Sequence, residues 1–249
     1  LPGDAAVHLN AYQIDDYVTC PWKYRYVHVL KVPLLPHHTI MYGKAVHEAI
    51  AFYFRRMLDG TPAGEKDLIN VYKAAWRSEG FISRAHEEKR FAEGERSLKE
   101  FFRRERDSGI KPACVEKDFT AESGSVVIRG RFDLIEERGD GAYIIDFKTS
   151  DVRERDKAEK KAKESLQLKV YALSYLKNFK KMPAGCELRF VDSGLVGAAS
   201  FSDKDMEKTE SLIHDVASGI RKRDYIAKPN YINCGWCAFN NICMEKSGR

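Results

Sequence analysis

At 249 residues the chain accommodates one large domain or two small ones, enough to bury a core without disulfide help. Hydrophobic residues at 43% and aromatics at 11% exclude a disordered polymer, and a formal charge of +5 is compatible with a polyanionic partner without establishing one. No stretch approaches the ~20 apolar residues of a membrane span, and Leu1-Pro2-Gly3-Asp4 lacks a signal-peptide shape, so the sequence reads as soluble and cytoplasmic. In chain order, an apolar stripe begins with Ile14, Tyr17 and Val18, meets Cys20-Pro21, and resumes through Trp22, Tyr24, Tyr26 and Val27. A helix is predicted over 39–58, with Val46, Ile50, Tyr53, Phe54 and Met57 on one face and Asp59-Gly60-Thr61-Pro62 as its stop. Two more follow near 65–78 and 84–107, the second highly charged and ended by Ser108-Gly109.

From Val115 the periodicity changes. Segments 115–121, 125–136 and 142–148 read as strands, with Gly124 and Gly139-Asp140-Gly141 as the turns between them. The run of charges over 151–163 reads as a solvated loop or helix start. A helix over 164–178, strands around 187–192 and 194–201, and a helix over 203–222 complete the pattern. This predicts a mixed β-sheet flanked by helices, an α/β class, in one domain spanning 1–249. Within it an all-helical section (1–110) packs on an α/β core (111–225), and a cysteine-rich tail (226–249) follows. There is no internal repeat.

The chemistry concentrates on two predicted strands, Gly130-Arg131-Phe132-Asp133 and Ile144-Ile145-Asp146-Phe147-Lys148-Thr149. Aspartates on adjacent strands of a tight meander can converge on one hard divalent cation, because carboxylate oxygens suit Mg²⁺ or Mn²⁺. Asp146 and Lys148 are two apart on a strand, so both project from the same face. A carboxylate that holds a metal beside an ammonium is a phosphodiester-cleaving pair: the ammonium orients water or neutralises charge developing on the phosphate. An Asp-x-Lys alone is far more often a surface ion pair beside an edge strand. Ile144, Ile145 and Phe147 make this strand apolar and central, where an unpartnered Asp and Lys would be costly.

Four short motifs then occur in one order: Gly43-Lys44-Ala45-Val46-His47, Gly130 to Asp133, Asp146-Phe147-Lys148, and Gln167-Leu168-Lys169-Val170-Tyr171. Together they resemble the PD-(D/E)xK phosphodiesterase superfamily and, within it, the RecB-like branch, over nearly the whole chain. The resemblance implies a restriction-endonuclease-like fold and a Mg²⁺- or Mn²⁺-dependent deoxyribonuclease. It implies that His47, Asp133, Asp146 and the Phe147 carbonyl hold the metal. Asp133, Asp146, Lys148, Gln167 and Tyr171 form the catalytic set, with Gln167 and Tyr171, i and i+4 on one helix, meeting the DNA strand and the site's edge. Glu116 stands where the branch often has an acidic residue on its first strand.

Six cysteines stand at 20, 114, 186, 234, 237 and 243. Cys234-x-x-Cys237-x5-Cys243 with the distant Cys20 can bring four thiolates together if the two ends of the chain meet, and four thiolates hold either Zn²⁺ or an iron–sulfur cluster. The one-plus-three spacing, with the entry Tyr17-Val18-Thr19-Cys20-Pro21-Trp22-Lys23-Tyr24, is similar to the iron–sulfur-bearing members of the RecB-like branch, such as AddB-type nucleases and CRISPR adaptation exonucleases. A [4Fe–4S] cluster on Cys20, Cys234, Cys237 and Cys243, clamping the tail to the first helix, is what that resemblance implies. Cys114 and Cys186 fall outside the pattern and read as buried small residues.

Modules with this entry often form the C-terminal domain of UvrD-type helicases. A first residue other than Met fits an excised or processed piece, and any helicase partner must carry the ATP site, because no G-x-x-x-x-G-K-[ST] loop occurs. The function read from the sequence is a DNA exonuclease of repair or recombination, coupled to such a helicase. The alternatives are a catalytically idle DNA-binding or scaffold module and an RNA-directed or structure-specific endonuclease.

Overall fold

The structure, a computed structural model, describes residues 5–246; the reading of Leu1 to Asp4 lies outside them. Strand β1 (Val7–Leu9) leads into α1 (Ala11–Thr19) and α2 (Pro21–Tyr24), which continues as a π-helical turn (Arg25–Val29). Asn10 starts α1 with a capping box: its side chain accepts from the Gln13 N–H while the Gln13 side chain accepts from its own N–H, both at 2.9 Å. Pro21 sits in the first turn of α2, where its missing N–H costs nothing. Helices α3 (His38–Leu58), α4 (Glu65–Ala75) and α5 (Arg84–Arg106) follow, then the meander β2 (Pro112–Ser123), β3 (Val126–Arg138) and β4 (Gly141–Lys148). The chain continues through α6 (Arg155–Glu164), α7 (Leu166–Phe179), β5 (Gly185–Phe190), β6 (Val196–Ala199), α8 (Asp203–Arg221) and the short α9 (Tyr231–Gly235).

The sheet is mixed, as the sequence leads one to expect. β2, β3 and β4 are antiparallel, β5 joins β4 in parallel through the α6–α7 crossover, and β6 closes antiparallel on β5. Both faces are covered. Ile144 packs in the core that includes α1, α7 and α8, whereas its neighbours Ile145 and Phe147 pack in the core formed with α3, α4 and α5. Burial on two sides explains why β4 reads as an unbroken apolar run interrupted only where chemistry resides.

Two expectations are corrected. The first 110 residues are not all helical: Val7 to Leu9 pair in parallel with Val126 to Ile128 of β3. Three residues give no usable periodicity, and their hydrogen bonds come from a partner more than a hundred residues away. The charged run forms the helix α6, because Ala158 and Ala162, four apart, are fully buried on one face. Gly197 of β6 accepts that helix at close range: a Cβ there would stand 2.0 Å from the Ala158 carbonyl oxygen.

β3 is the organising strand. β2 occupies one of its edges from end to end, so β1 and β4 must share the other. The β1 ladder on β3 ends at Ile128 and the β4 ladder begins at Leu134, which leaves residues 129–133 facing an open notch. Gly130 lies in that interval because Phe119 packs directly over it; a Cβ would meet the ring at 2.5 Å. This notch, roofed by α1 and α3, gathers the residues singled out in the sequence.

Candidate active site

A cavity of about 950 Å³ fills the notch. Where β4 diverges from β3, the Asp133 side chain replaces the ladder and accepts the Phe147 N–H at 3.0 Å. From α3, Gly43 brings the helix close to the end of β4, its missing Cβ standing 3.3 Å from Thr149 Oγ1, and one turn later His47 faces the sheet. His47 Nδ1 lies 3.4 Å from Asp133 Oδ2. Glu116 is aimed at the same point by an unusual backbone. It sits in β2 between the register pairs Val115–Leu134 and Lys117–Phe132, hence opposite Asp133, yet has φ 47°, a left-handed conformation strained for glutamate. One ligand atom each from His47, Glu116 and Asp133 lies within 4.8 Å of the others.

Beside this triad is a second group built on Asp146. The residue is 2% exposed. Lys148 Nζ lies 2.6 Å from its Oδ2, and the Gln167 amide donates to its Oδ1 at 2.7 Å. The same Gln167 accepts from Lys148 at 2.7 Å and donates to the Tyr171 hydroxyl at 2.8 Å. Tyr171 is held edge-on by Phe119 and Phe132, with centroids 5.7 and 5.5 Å away. Gln167 is thus the joint that ties α7 to the Asp–Lys pair. All of the predicted carboxylates, His47, Lys148, Gln167 and Tyr171 line the one cavity. Asp146 turns toward Lys148 and Gln167 rather than into the His47, Glu116 and Asp133 triad.

The sequence model of the PD-(D/E)XK nuclease superfamily matches residues 8–244. The chain belongs to that superfamily. No curated protein matches it in sequence. Among solved structures, one titled "Crystal structure of SSO0001" is similar at 16% identity and a TM-score of 0.38, covering 94% of this chain and 98% of that one. PD-(D/E)XK nucleases work with divalent metals, and the residues here fit one. The donors are a neutral-range imidazole and carboxylates, and buried Asp146 Oδ2 takes no aligned hydrogen bond beyond its ion pair with Lys148.

The electrostatics follow from burying like charges together. Burial, and then the Asp146 carboxylate, push Asp133 well above the ordinary carboxylate range. Burial lowers His47, which keeps the ring neutral and able to ligate. Burial also acts to lower Lys148, but the Asp146 charge outweighs it and the ammonium is held above its usual value. Lys148 therefore keeps its proton. A pH dependence follows for Mn²⁺ binding. The cation must displace the proton from Asp133, so affinity falls as pH drops below that group's raised pKa, by up to about tenfold per unit. Titration calorimetry over a descending pH series should show this loss, and an Asp133→Asn variant that binds Mn²⁺ with the wild-type affinity and pH profile would exclude Asp133 from the ligand set.

Sequence reasoning missed Tyr12, Lys44, Arg129 and Arg131, which also line the cavity. Lys44 and Arg131 stand at unassigned positions inside two of the motifs and Tyr12 and Arg129 outside them all; the notch between β1 and β4 is what collects them. Elsewhere, Cys20, Cys234, Cys237 and Cys243 line a separate small cavity of about 40 Å³. Buried Phe239 lies beneath it with its ring 4.9 Å from Tyr26, and the Lys228 N–H approaches Cys20 Sγ at 3.5 Å. Cys186 is buried, whereas Cys114 is only partly so.

Proposed function

We propose that this protein is a Mg²⁺- or Mn²⁺-dependent deoxyribonuclease that acts at strand ends in DNA repair or recombination, in the cytoplasm and alongside a UvrD-type helicase. The observation that carries the reading is the joining of Asp146, Lys148 and Gln167 to the His47, Glu116 and Asp133 group in one cavity. His47, Asp133 and Glu116 would hold the ion, and Asp146 and the Phe147 carbonyl would complete the set once Asp146 turns from Lys148 toward them. Such an ion supplies Lewis-acid stabilisation of phosphate charge and makes its water more acidic. Lys148, kept protonated by Asp146, offsets negative charge developing on the scissile phosphate. Gln167 fixes the Lys148 ammonium in place, and Tyr171 fixes Gln167. Lys44, Arg129 and Arg131 at the cavity supply positive charge for the flanking phosphates. Most of the Arg131 charge is answered by Asp118 and Glu116, so Lys44 and Arg129 are left to do more of that work.

The four clustered cysteines suit a [4Fe–4S] group that ties residue 20 to residue 243; the soft thiolate set supports it. Its contribution is to hold α1, which carries Tyr12 into the active-site cavity, against the tail. Incubating 5′- and 3′-labelled single and double DNA strands with Mn²⁺, with Mg²⁺ and with a chelator tests the reading. Shortening from one labelled end only with the cation present is expected. Intact DNA under every condition would refute it.

A further inference from the structure

A second cavity, of about 380 Å³, lies beside the first. The two share the walls Ala11, Tyr12, Lys148 and Gln167, so the catalytic lysine and its glutamine stand at the junction. Tyr12 comes from the first turn of α1, fixed by the Asn10–Gln13 capping box, and is 65% exposed. The residue is largely exposed and lines both cavities, beside Gln167 and Lys148. The mechanism above gives it no task.

The chemistry of the second cavity differs from that of the first. Leu188 and Phe190 of β5 provide apolar surface, and Ser150 and Ser165 provide neutral polar groups. Asp15 and Glu164 add negative charge, with Lys161 the one cation besides Lys148 among its lining residues. The two carboxylates offset Lys148 and Lys161, so this wall has no surplus positive charge to neutralise the phosphates of a continuing DNA backbone. A nucleoside ending in a hydroxyl needs none. The volume agrees, because about 380 Å³ is at the small-ligand end of the range for pockets.

We propose that this second cavity holds the terminal nucleoside of the strand being cut, with its base or sugar stacked on the Tyr12 ring, so that products are mononucleotides. The inference rests on the nuclease reading and narrows it. Hydrolysis at the junction adds water across one P–O bond, leaving a phosphate on one product and a hydroxyl on the other. An aromatic face recognises any base, and stacking is worth ~1–3 kcal/mol per base.

The experiment has a cleavage arm and a binding arm. With Mn²⁺ and end-labelled single strands, wild type should release mononucleotides from the earliest time points. Tyr12→Ala should raise KM about tenfold or more with a smaller change in kcat, and Tyr12→Phe, which keeps the ring, should restore KM to within about twofold. Ser150→Trp, which fills the cavity from an exposed position, should block mononucleotide release. Thymidine 5′-monophosphate should bind the chelator-treated protein, as read by NMR line shifts, and bind Tyr12→Ala about tenfold more weakly. Oligonucleotides as first products, or a KM indifferent to Tyr12→Ala, would overturn the proposal. If wild type cuts nothing, the nuclease reading fails by itself. Tyr12-dependent binding of thymidine 5′-monophosphate would then still support the cavity, and its absence would remove it.

Discussion

Asp146→Ala and Lys148→Ala should each slow cleavage at least about a thousandfold, yet move stability by different amounts. Both side chains belong to one hydrogen-bonded unit with Gln167, so neither works without the other. Removing Asp146 leaves Lys148 still bonded to Gln167 and relieves the repulsion that raises Asp133. The melting temperature of the chelator-treated protein should then change by only a few degrees. Removing Lys148 strands the buried Asp146 carboxylate near Asp133 with no cation, a situation that costs about 3 kcal/mol or more. For a chain of this size that is about 6–12 °C. Initial rates on labelled DNA, with thermal melts in chelator, measure both effects. Either variant retaining a tenth of the wild-type rate would exclude the pair from catalysis.

Cys20→Ser should produce the largest loss of stability of any single exposed-side substitution. If Cys20 is bridged to Cys234, Cys237 and Cys243, the link closes a loop of more than two hundred residues. The chain-entropy estimate for closing a loop that long is about 5 kcal/mol, or about 10–20 °C in Tm. Anaerobically purified protein should be brown, with iron and acid-labile sulfide near four per chain (~4 for a four-thiolate cubane). Cys114→Ser, on β2 opposite Ile135, should change neither colour nor Tm appreciably. A colourless protein with stoichiometric zinc would replace the cluster but keep the bridge, whereas alkylation of all four thiols in the folded protein would exclude both.

The sequence makes some of this architecture legible and hides the rest for physical reasons. Helix α3 declares itself through a long apolar stripe and a clear stop, the highly charged α5 through its stop at Ser108-Gly109, and β4 through an apolar run that only a doubly covered strand carries. Asp146 and Lys148 stand out because they interrupt that run. β1 is invisible, since its three residues acquire meaning only from Val126 to Ile128 of β3. The helix α6 is masked by composition; its buried face is two alanines, too small to register as hydrophobic. Tyr12 carries no motif, and its position at the junction of two cavities depends on β1 placing α1 over the notch. The left-handed backbone of Glu116 is likewise set by tertiary structure, although its neighbours read as ordinary strand.

That last residue separates what the fold prefers from what the proposed metal group would use. A left-handed φ in the middle of a strand suits glycine or asparagine, and glutamate there is strained by ~1–3 kcal/mol. A laboratory lineage selected for expression and heat tolerance alone should therefore drift away from glutamate at position 116. A lineage required to cut DNA should hold it. Comparing the two populations after several rounds of mutagenesis would turn one backbone angle into a record of which pressure the protein had been under.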